Sequence, residues 1–404
     1  MIVRRFLLWA RSATPGQRAD GVGALARAYL YADLKPEDRR EAETALTAML
    51  DDASPLVRRA LAEAFANAVE APRHLVVALA NDQSDIAALV LARSPVLTDA
   101  DLVDCAALGD ELAQTAIALR PSVSVGVSAA LAEIAVAPAL AALARNLGAV
   151  IAASSLERIV ARHGAEAELR EALLARPNLP LAIRQAIAVA VADSLSAFVQ
   201  GCGWLSPERA ARATREAREK VTVGLSLDAE ARDVRHLVAH LRRSGQLTPA
   251  LILRAILSRG LAFAEAAFAE LSGLTPARVA GLLQERYGAA FAALYKRSGL
   301  PESLYQAFAS ALDALREPAP GRPSERAQLS RRMVERVLTA CAALPPEEAG
   351  RLLALLRRFE VEAAREEARE LADALADEAA LQVVLLHEPE ALDMPWPQPL
   401  LTAA

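Results

Sequence analysis

Lysine is almost missing from this chain. Lys35, Lys220 and Lys296 are three of its 45 basic residues, and the rest are arginine. Against 50 acidic residues the net charge is −5, so there is no positive excess to neutralise a phosphate backbone. Nucleic acid is disfavoured as a partner, and the arginine richness reads as a coding preference. Aromatic residues make up 4% of the chain, and strand-favouring clusters are correspondingly sparse, which argues against a β fold. Cysteine occurs at Cys105, Cys202 and Cys341, widely spaced and odd in number. No disulfide framework follows, in keeping with a reducing cytoplasm.

Long apolar runs are lacking too. The opening MIVRRFLLWARSA sets basic residues before an apolar run, but Phe6–Ala10 is only five residues and Arg11 ends it. That is too short for a signal peptide or a span. No other stretch of membrane length is free of charge. The expectation is a soluble, cytoplasmic chain with no membrane span, in which a helix over residues 2–12 could touch a membrane peripherally.

Motifs that carry chemistry are absent as well: no glycine-rich phosphate loop, no Cys-x-x-Cys, no His-Glu-x-x-His. His236 and His240 in RHLVAHLRR share a helical face with Asp233 one turn before. Arg235, Arg242 and Arg243 crowd that face with positive charge, and no cysteine or glutamate closes a metal site. His74, His163 and His387 stand apart from one another. Cys202, between Gly201 and Gly203 and beside Trp204, is the cysteine in the most open setting, where the glycines read as a helix end. No catalytic residue, cofactor or metal is expected, and the chain reads as a non-enzyme.

What is present is helix. The composition is 54% hydrophobic, dominated by alanine and leucine, and with arginine and glutamate these are strong helix formers. The template is Asp51–Val69, DDASPLVRRALAEAFANAV. Ser54 reads as an N-cap and Pro55 as the first helical residue. Val57, Ala60, Leu61, Ala64, Phe65 and Ala68 fall on one apolar stripe, with Arg58, Arg59, Glu63 and Asn67 opposite. One narrow stripe needs neighbours of the same kind, and they follow. Helix ends repeat as Leu91-Ala92-Arg93-Ser94-Pro95, Ile117-Ala118-Leu119-Arg120-Pro121, Leu143-Ala144-Arg145-Asn146-Leu147 and Leu174-Ala175-Arg176-Pro177-Asn178. Each arginine is placed to meet the last free carbonyls of its helix. The turns Asp52-Ala53-Ser54 and Asp82-Gln83-Ser84 rhyme, and Thr98 with Asp101 forms an N-cap pair. A period near thirty residues with two helices per unit predicts an α-solenoid.

The expected organisation is all-α: N-terminal helices capping the array over 1–35, and antiparallel hairpins over 36–203. A charged connector helix over 204–227 and a second helical domain over 228–316 follow. The connector's Arg209, Arg212, Arg215 and Arg218 recur every third residue and so spiral around the helix instead of forming one face. Seven of the thirteen Phe and Tyr residues lie between 263 and 308, which predicts a thicker core there. A Pro-rich linker (317–323), C-terminal helices (324–386) and a proline-rich tail (387–404) complete the chain. The long charged C-terminal helix offers a route to a homo-oligomer, and Trp396 in the tail is a candidate anchor in a partner's groove.

Two resemblances sharpen this. Asp52, Pro55 and Val57-Arg58 look like the HEAT repeat, which implies that the turn aspartate and the Val-Arg pair bond between neighbouring repeats, with Leu61 and Phe65 in the stacking face. Ala87 and Ala88 stand where the next Val-Arg would fall, so the later units depart from that pattern. More broadly, MIVRRFLLWARSA, ALARAYLYADL, DDASPLVRRALAEAFA and LILRAILSRGLAFAEAAFAELSGL resemble an uncharacterised bacterial family classed as a domain of unknown function, over roughly residues 1–315. That resemblance implies helical repeats and no catalytic residues. The expected function is a scaffold or regulator that offers a curved helical surface to another protein. The alternatives are a nucleic-acid-binding repeat protein and, behind it, an enzyme framed by the solenoid.

Overall fold

A computed structural model describes residues 2–285, 288–316, 331–341 and 346–385; the expected linker 317–323 and the tail with Trp396 lie outside them. The described residues are helical, with no strand among them beyond one isolated parallel bridge between Val123 and Ala149. They divide into two compact units, one ending at Arg218 and the other beginning at Glu219.

In the first unit the helices are α1 (Ile2–Ala10), α2 (Pro15–Tyr31), α3 (Pro36–Ala48), α4 (Pro55–Phe65), α5 (Arg73–Ala80), α6 (Ser84–Arg93) and α7 (Asp99–Leu108). There follow α8 (Glu111–Ala118), α9 (Val125–Ile134), α10 (Ala137–Arg145), α11 (Ala153–His163), α12 (Ala167–Leu174), α13 (Leu181–Gly201) and the start of α14 (Pro207–Leu227). From α4 to α12 each helix is eight to eleven residues, lengths that are marginal alone and need tertiary contacts. Those contacts skip one helix. α2 packs on α4, α4 on α6, α6 on α8, α8 on α10 and α10 on α12, while α7 packs on α9, α9 on α11 and α11 on α13.

Proline and side-chain caps set the helix boundaries. Thr14 and Gln17 form a capping box before Pro15, and Thr98 and Asp101 form one before α7. At α4 the cap differs from the expectation. Ser54 makes no side-chain cap; its backbone N–H instead donates to Asp52 Oδ1 at 2.8 Å. The apolar stripe of α4 is also turned slightly. Val57, Leu61 and Phe65 are fully buried as expected, but the alanines that join them are Ala62 and Ala66, with Ala60 and Ala64 half-buried. α4 is gripped between α2 and α6, so its buried arc widens past the stripe. Phe65 meets Tyr29 of α2 edge-on, with ring centroids 6.3 Å apart.

The second unit contains the rest of α14, α15 (Ala231–Arg243), α16 (Pro249–Leu257), α17 (Leu261–Ser272), α18 (Pro276–Gln284), α19 (Gly288–Arg297), α20 (Tyr305–Leu315), α21 (Arg331–Cys341) and α22 (Pro346–Leu385). Its core is aromatic. Phe268 lies 5.7 Å from Phe291 and 6.1 Å from Phe308, Tyr295 is 5.4 Å from Phe308, and Phe263 is buried beside them in sequence. Tyr305 stacks on Phe291, and Tyr287 falls outside the described residues. Every residue from Leu251 to Leu257 on α16 is buried, including Arg254 at 2% exposure. That guanidinium is held by both oxygens of Glu362 at 2.7 and 2.9 Å, approaches Glu219 at 3.5 Å and lies 4.6 Å over the Phe359 ring. Leu352, Leu356, Phe359 and Ala363 bury the near half of α22, and its stripe then gives out, leaving Leu371 and Leu375 exposed.

Because Ala62 is fully buried and Ala64 is not, leucine at the two positions separates the observed packing face from the expected one. Ala62→Leu is expected to cost on the order of 1–3 kcal/mol by overpacking, and Ala64→Leu less than half of that, as read from urea unfolding of the full chain.

Candidate interaction surface

Asp52, in the turn before α4, and Arg58 on α4 each bond to a residue of another helix or turn. Asp52 accepts two hydrogen bonds from Arg18, Nε to Oδ2 and Nη2 to Oδ1, each 2.7 Å. Hydrogen bonding from that guanidinium pulls the Asp52 carboxyl below its ordinary value. Arg58 turns the other way. It forks onto Asp82 at 2.7 and 3.1 Å and donates a third bond to the Asp52 carbonyl at 2.7 Å. A line of charge thus runs Arg18, Asp52, Arg58, Asp82 across α2, α4 and the turn before α6. One step further the arginine is gone, and Ser84 Oγ donates to Asp110 at 2.5 Å instead.

On the loops that follow the even helices, a second line forms from helix-end caps. Arg120 donates to the carbonyls of Leu91 at 2.6 Å and Ser94 at 2.8 Å, closing the end of α6. Asn146 Nδ2 donates to Ala118 and Arg120, closing the end of α8. Arg176 donates to the carbonyls of Ala144, Asn146 and Ala149, closing the end of α10. Burial lowers the pKa of both Arg120 and Arg176. Arg120 and Arg176 therefore cap the neighbour-but-one helix, not their own, while Arg93 is exposed and caps none. Arg145 departs from the pattern; it pairs at the surface with Glu168 at 2.9 Å, and Asn146 beside it does the capping.

Backbone stitches the same loops. Val123 N–H donates to Gly148 at 3.3 Å and Val150 N–H donates to Val123 at 3.0 Å. Gly148 allows this approach, since a Cβ there would stand 2.0 Å from the Pro121 carbonyl oxygen. On this pinned backbone Leu119, Leu147, Val150 and Leu174 stay exposed, Leu147 at 72%. Leu119, Leu147 and Val150 on these loops, with Leu174 at the last turn of α12, mark this edge as a candidate interaction surface.

No group of three or more metal-ligating side chains occurs among the described residues, and that includes Asp233, His236 and His240. His74 meets Thr47 Oγ1 at 2.9 Å in a hollow open to solvent, lined also by Arg40, Glu43, Thr44 and Asp51. Cys202 is exposed, while Cys105 and Cys341 are buried with thiol pKa values raised by burial. By length and composition α13 could cross a membrane, which the charged residues within it had argued against.

Removing Arg120 leaves two helix-end carbonyls without their donor, so Arg120→Met is expected to cost about 1–3 kcal/mol. Arg145→Met breaks a half-exposed pair and should cost under about 1 kcal/mol; urea unfolding ranks the two. A pH effect sits at Asp101, whose carboxyl is held down to about 2 chiefly by hydrogen bonds from Arg73 at 2.8 and 2.9 Å. Its folded pKa lies below its unfolded one, so its contribution is present above about pH 4 and is lost as pH falls towards about 2. The stability gap between wild type and Arg73→Gln should therefore close over that interval in thermal melts.

No curated protein and no solved structure matches the chain. The family model described as an uncharacterised protein conserved in bacteria (DUF2336) matches residues 86–347. The match begins after α4, so of the four segments that carried the resemblance only LILRAILSRGLAFAEAAFAELSGL falls within it, and it runs on beyond the expected end near 315 into α22. Since those residues are more than half of the 404, the chain belongs to this family of uncharacterised bacterial proteins.

Proposed function

We propose that residues 36–203 form a HEAT-like solenoid and that the protein is a non-catalytic scaffold, binding another protein along the loop edge that carries Leu119, Leu147, Val150 and Leu174. The observation that carries this reading is the coincidence of exposed apolar side chains with a backbone already tied down by Arg120, Asn146, Arg176 and the Val123–Ala149 bridge. A partner docking there orders little that is not ordered already, which lowers the entropic cost of association. The arginines that would otherwise suggest phosphate binding are engaged in internal bonds at Arg18, Arg58, Arg120 and Arg176.

The double variant Leu147→Glu/Val150→Glu tests it. Affinity capture of the full chain from native lysate should yield a stoichiometric protein with wild type and lose it with the variant, whose melting temperature stays within a few degrees of wild type because both side chains are exposed. Repeated captures with no stoichiometric protein, or equal capture by the variant, would overturn the reading.

A further inference from the structure

The turn between α13 and α14 holds an apolar cluster of a different kind. Ile183, Gln185 and Ile187 are buried and α13 packs on α11, so its first turns belong to the body of the first unit and are not free to leave it as a membrane span. From Val191 onward the helix is mostly exposed. Val191, Leu195 and Phe198 are spaced i, i+4, i+7 on one face, and all three are exposed. Asp193 lies about 200° around the helix from Val191 and is paired with Arg218. No charged residue occurs from Ser194 to Pro207.

At the end of α13 the chain reverses through Gly203, whose φ of +70° lies in the left-handed region that glycine adopts freely. Backbone bonds from Gly203 to Gln200 at 2.9 Å and from Trp204 to Val199 at 3.2 Å hold the turn. Trp204 and Phe198 meet edge-to-face at 5.8 Å, yet they are 68% and 59% exposed. Leu205 is exposed beside them. Water-facing tryptophan and phenylalanine fixed at one turn are costly unless something apolar covers them.

The charges beyond the turn say what does. Arg209, Arg212 and Arg215 are all exposed, with Glu208 just before them and the half-buried Glu216 just after, two carboxylates to three guanidinia. A net positive collar therefore follows the apolar tip in a chain whose overall charge is negative. The arginines are three apart, so they wind about 60° per step around the helix and extend over about 9 Å of its axis. A ligand met along one face would use only one or two of them. A flat layer of phosphates entered tip-first meets all three, over a depth comparable with a bilayer's headgroup region. Tryptophan at the turn fits the same boundary.

We propose that the α13–α14 turn is a membrane-docking element: Leu195, Phe198, Trp204 and Leu205 enter the interface of an anionic bilayer, and Arg209, Arg212 and Arg215 bind its phosphate headgroups. This goes beyond the scaffold reading and uses different residues, so either can fail alone.

Flotation of the full chain with phosphatidylglycerol-containing vesicles and with pure phosphatidylcholine vesicles tests it. Wild type should float with the former and much less with the latter. Phe198→Ser/Trp204→Ser should lower the partition at least about tenfold. Arg209→Gln/Arg212→Gln/Arg215→Gln should lower it and flatten its salt dependence. Cys202, exposed at the turn while Cys105 and Cys341 are buried, supplies a second readout. An environment-sensitive fluorophore on its thiol should shift to the blue on anionic vesicles. All five substituted positions are exposed, and melting curves check that the variants are folded. The proposal is overturned by absence of flotation on anionic vesicles, by flotation that survives Phe198→Ser/Trp204→Ser, or by flotation lost only on Leu8→Ser/Trp9→Ser in α1. A concentration-dependent dimer that Phe198→Ser/Trp204→Ser abolishes, with no flotation, would assign the cluster to a second copy of the chain and equally overturn it.

Discussion

Short helices end often, and every C-terminal end leaves four carbonyls without an intrahelical partner. In the first unit, where α4 to α12 run only eight to eleven residues, this is the constraint on which the remaining architecture depends. The solution is to let the next helix of the same row supply the donor. Arg120 serves α6, Asn146 serves α8 and Arg176 serves α10. In the other row Cys105 reaches Ala80 at the end of α5, and Arg162 reaches Ala132 near the end of α9. From α6 to α12 in the first row, and between α9 and α11, packing and capping thus point the same way, the helix leaning on the neighbour that also completes its hydrogen bonds.

The scarcity of lysine takes on a physical meaning in that light. Arg58 must fork onto a carboxylate and still donate to a carbonyl 2.7 Å away, and Arg176 serves three carbonyls at once. A planar guanidinium with five donors can do this, whereas an ammonium on a flexible stem has three donors and no fork. Arg254 extends the point to the second unit, where a bidentate bond to Glu362 and the face of Phe359 together compensate a charge that is almost wholly out of water. A coding preference supplies arginine everywhere; it does not explain why these particular guanidinia are spent internally.

How much of this could be read beforehand depended on whether the determinant is local. Helix starts at Pro55 and Thr98 and the all-helical class were legible, because proline, capping residues and alanine-leucine composition act within a few residues. The inner half of the α4 stripe was legible for the same reason. Its outer half was not. A periodic pattern identifies a face, but α2 and α6 decide how far around the helix that face extends, and so Ala62 is buried where Ala64 was expected. Asp52 and Arg58 were found as a pair of interest, yet their partners Arg18 and Asp82 lie 34 and 24 residues away, where no local signal reaches. The repeated helix-end arginines show the limit most plainly. Arg120 and Arg145 sit in similar motifs, but Arg120 lies two residues past the end of α8 and caps a distant helix, whereas Arg145 is the last residue of α10 and pairs at the surface while Asn146 beyond it caps.

The apolar loop edge and the apolar tip at the α13–α14 turn differ in what restrains them, and the difference is physical. Leu119, Leu147 and Val150 sit on loops bonded to the loops before and after them, so their positions are fixed by several helices at once. Phe198 and Trp204 sit on a turn held by its own backbone bonds and by each other. A surface fixed from many sides presents a constant shape, which suits recognition of a partner with a defined shape of its own. A turn fixed by its own bonds and by the Asp193–Arg218 pair between its flanking helices presents two aromatic rings and a collar of charge, whose fit depends on burial and electrostatics more than on contour, which suits a partner that has no fixed contour. The helix-end caps from Arg120, Asn146 and Arg176 lie along the first surface, and the bonds that shape the α13–α14 turn are the turn's own.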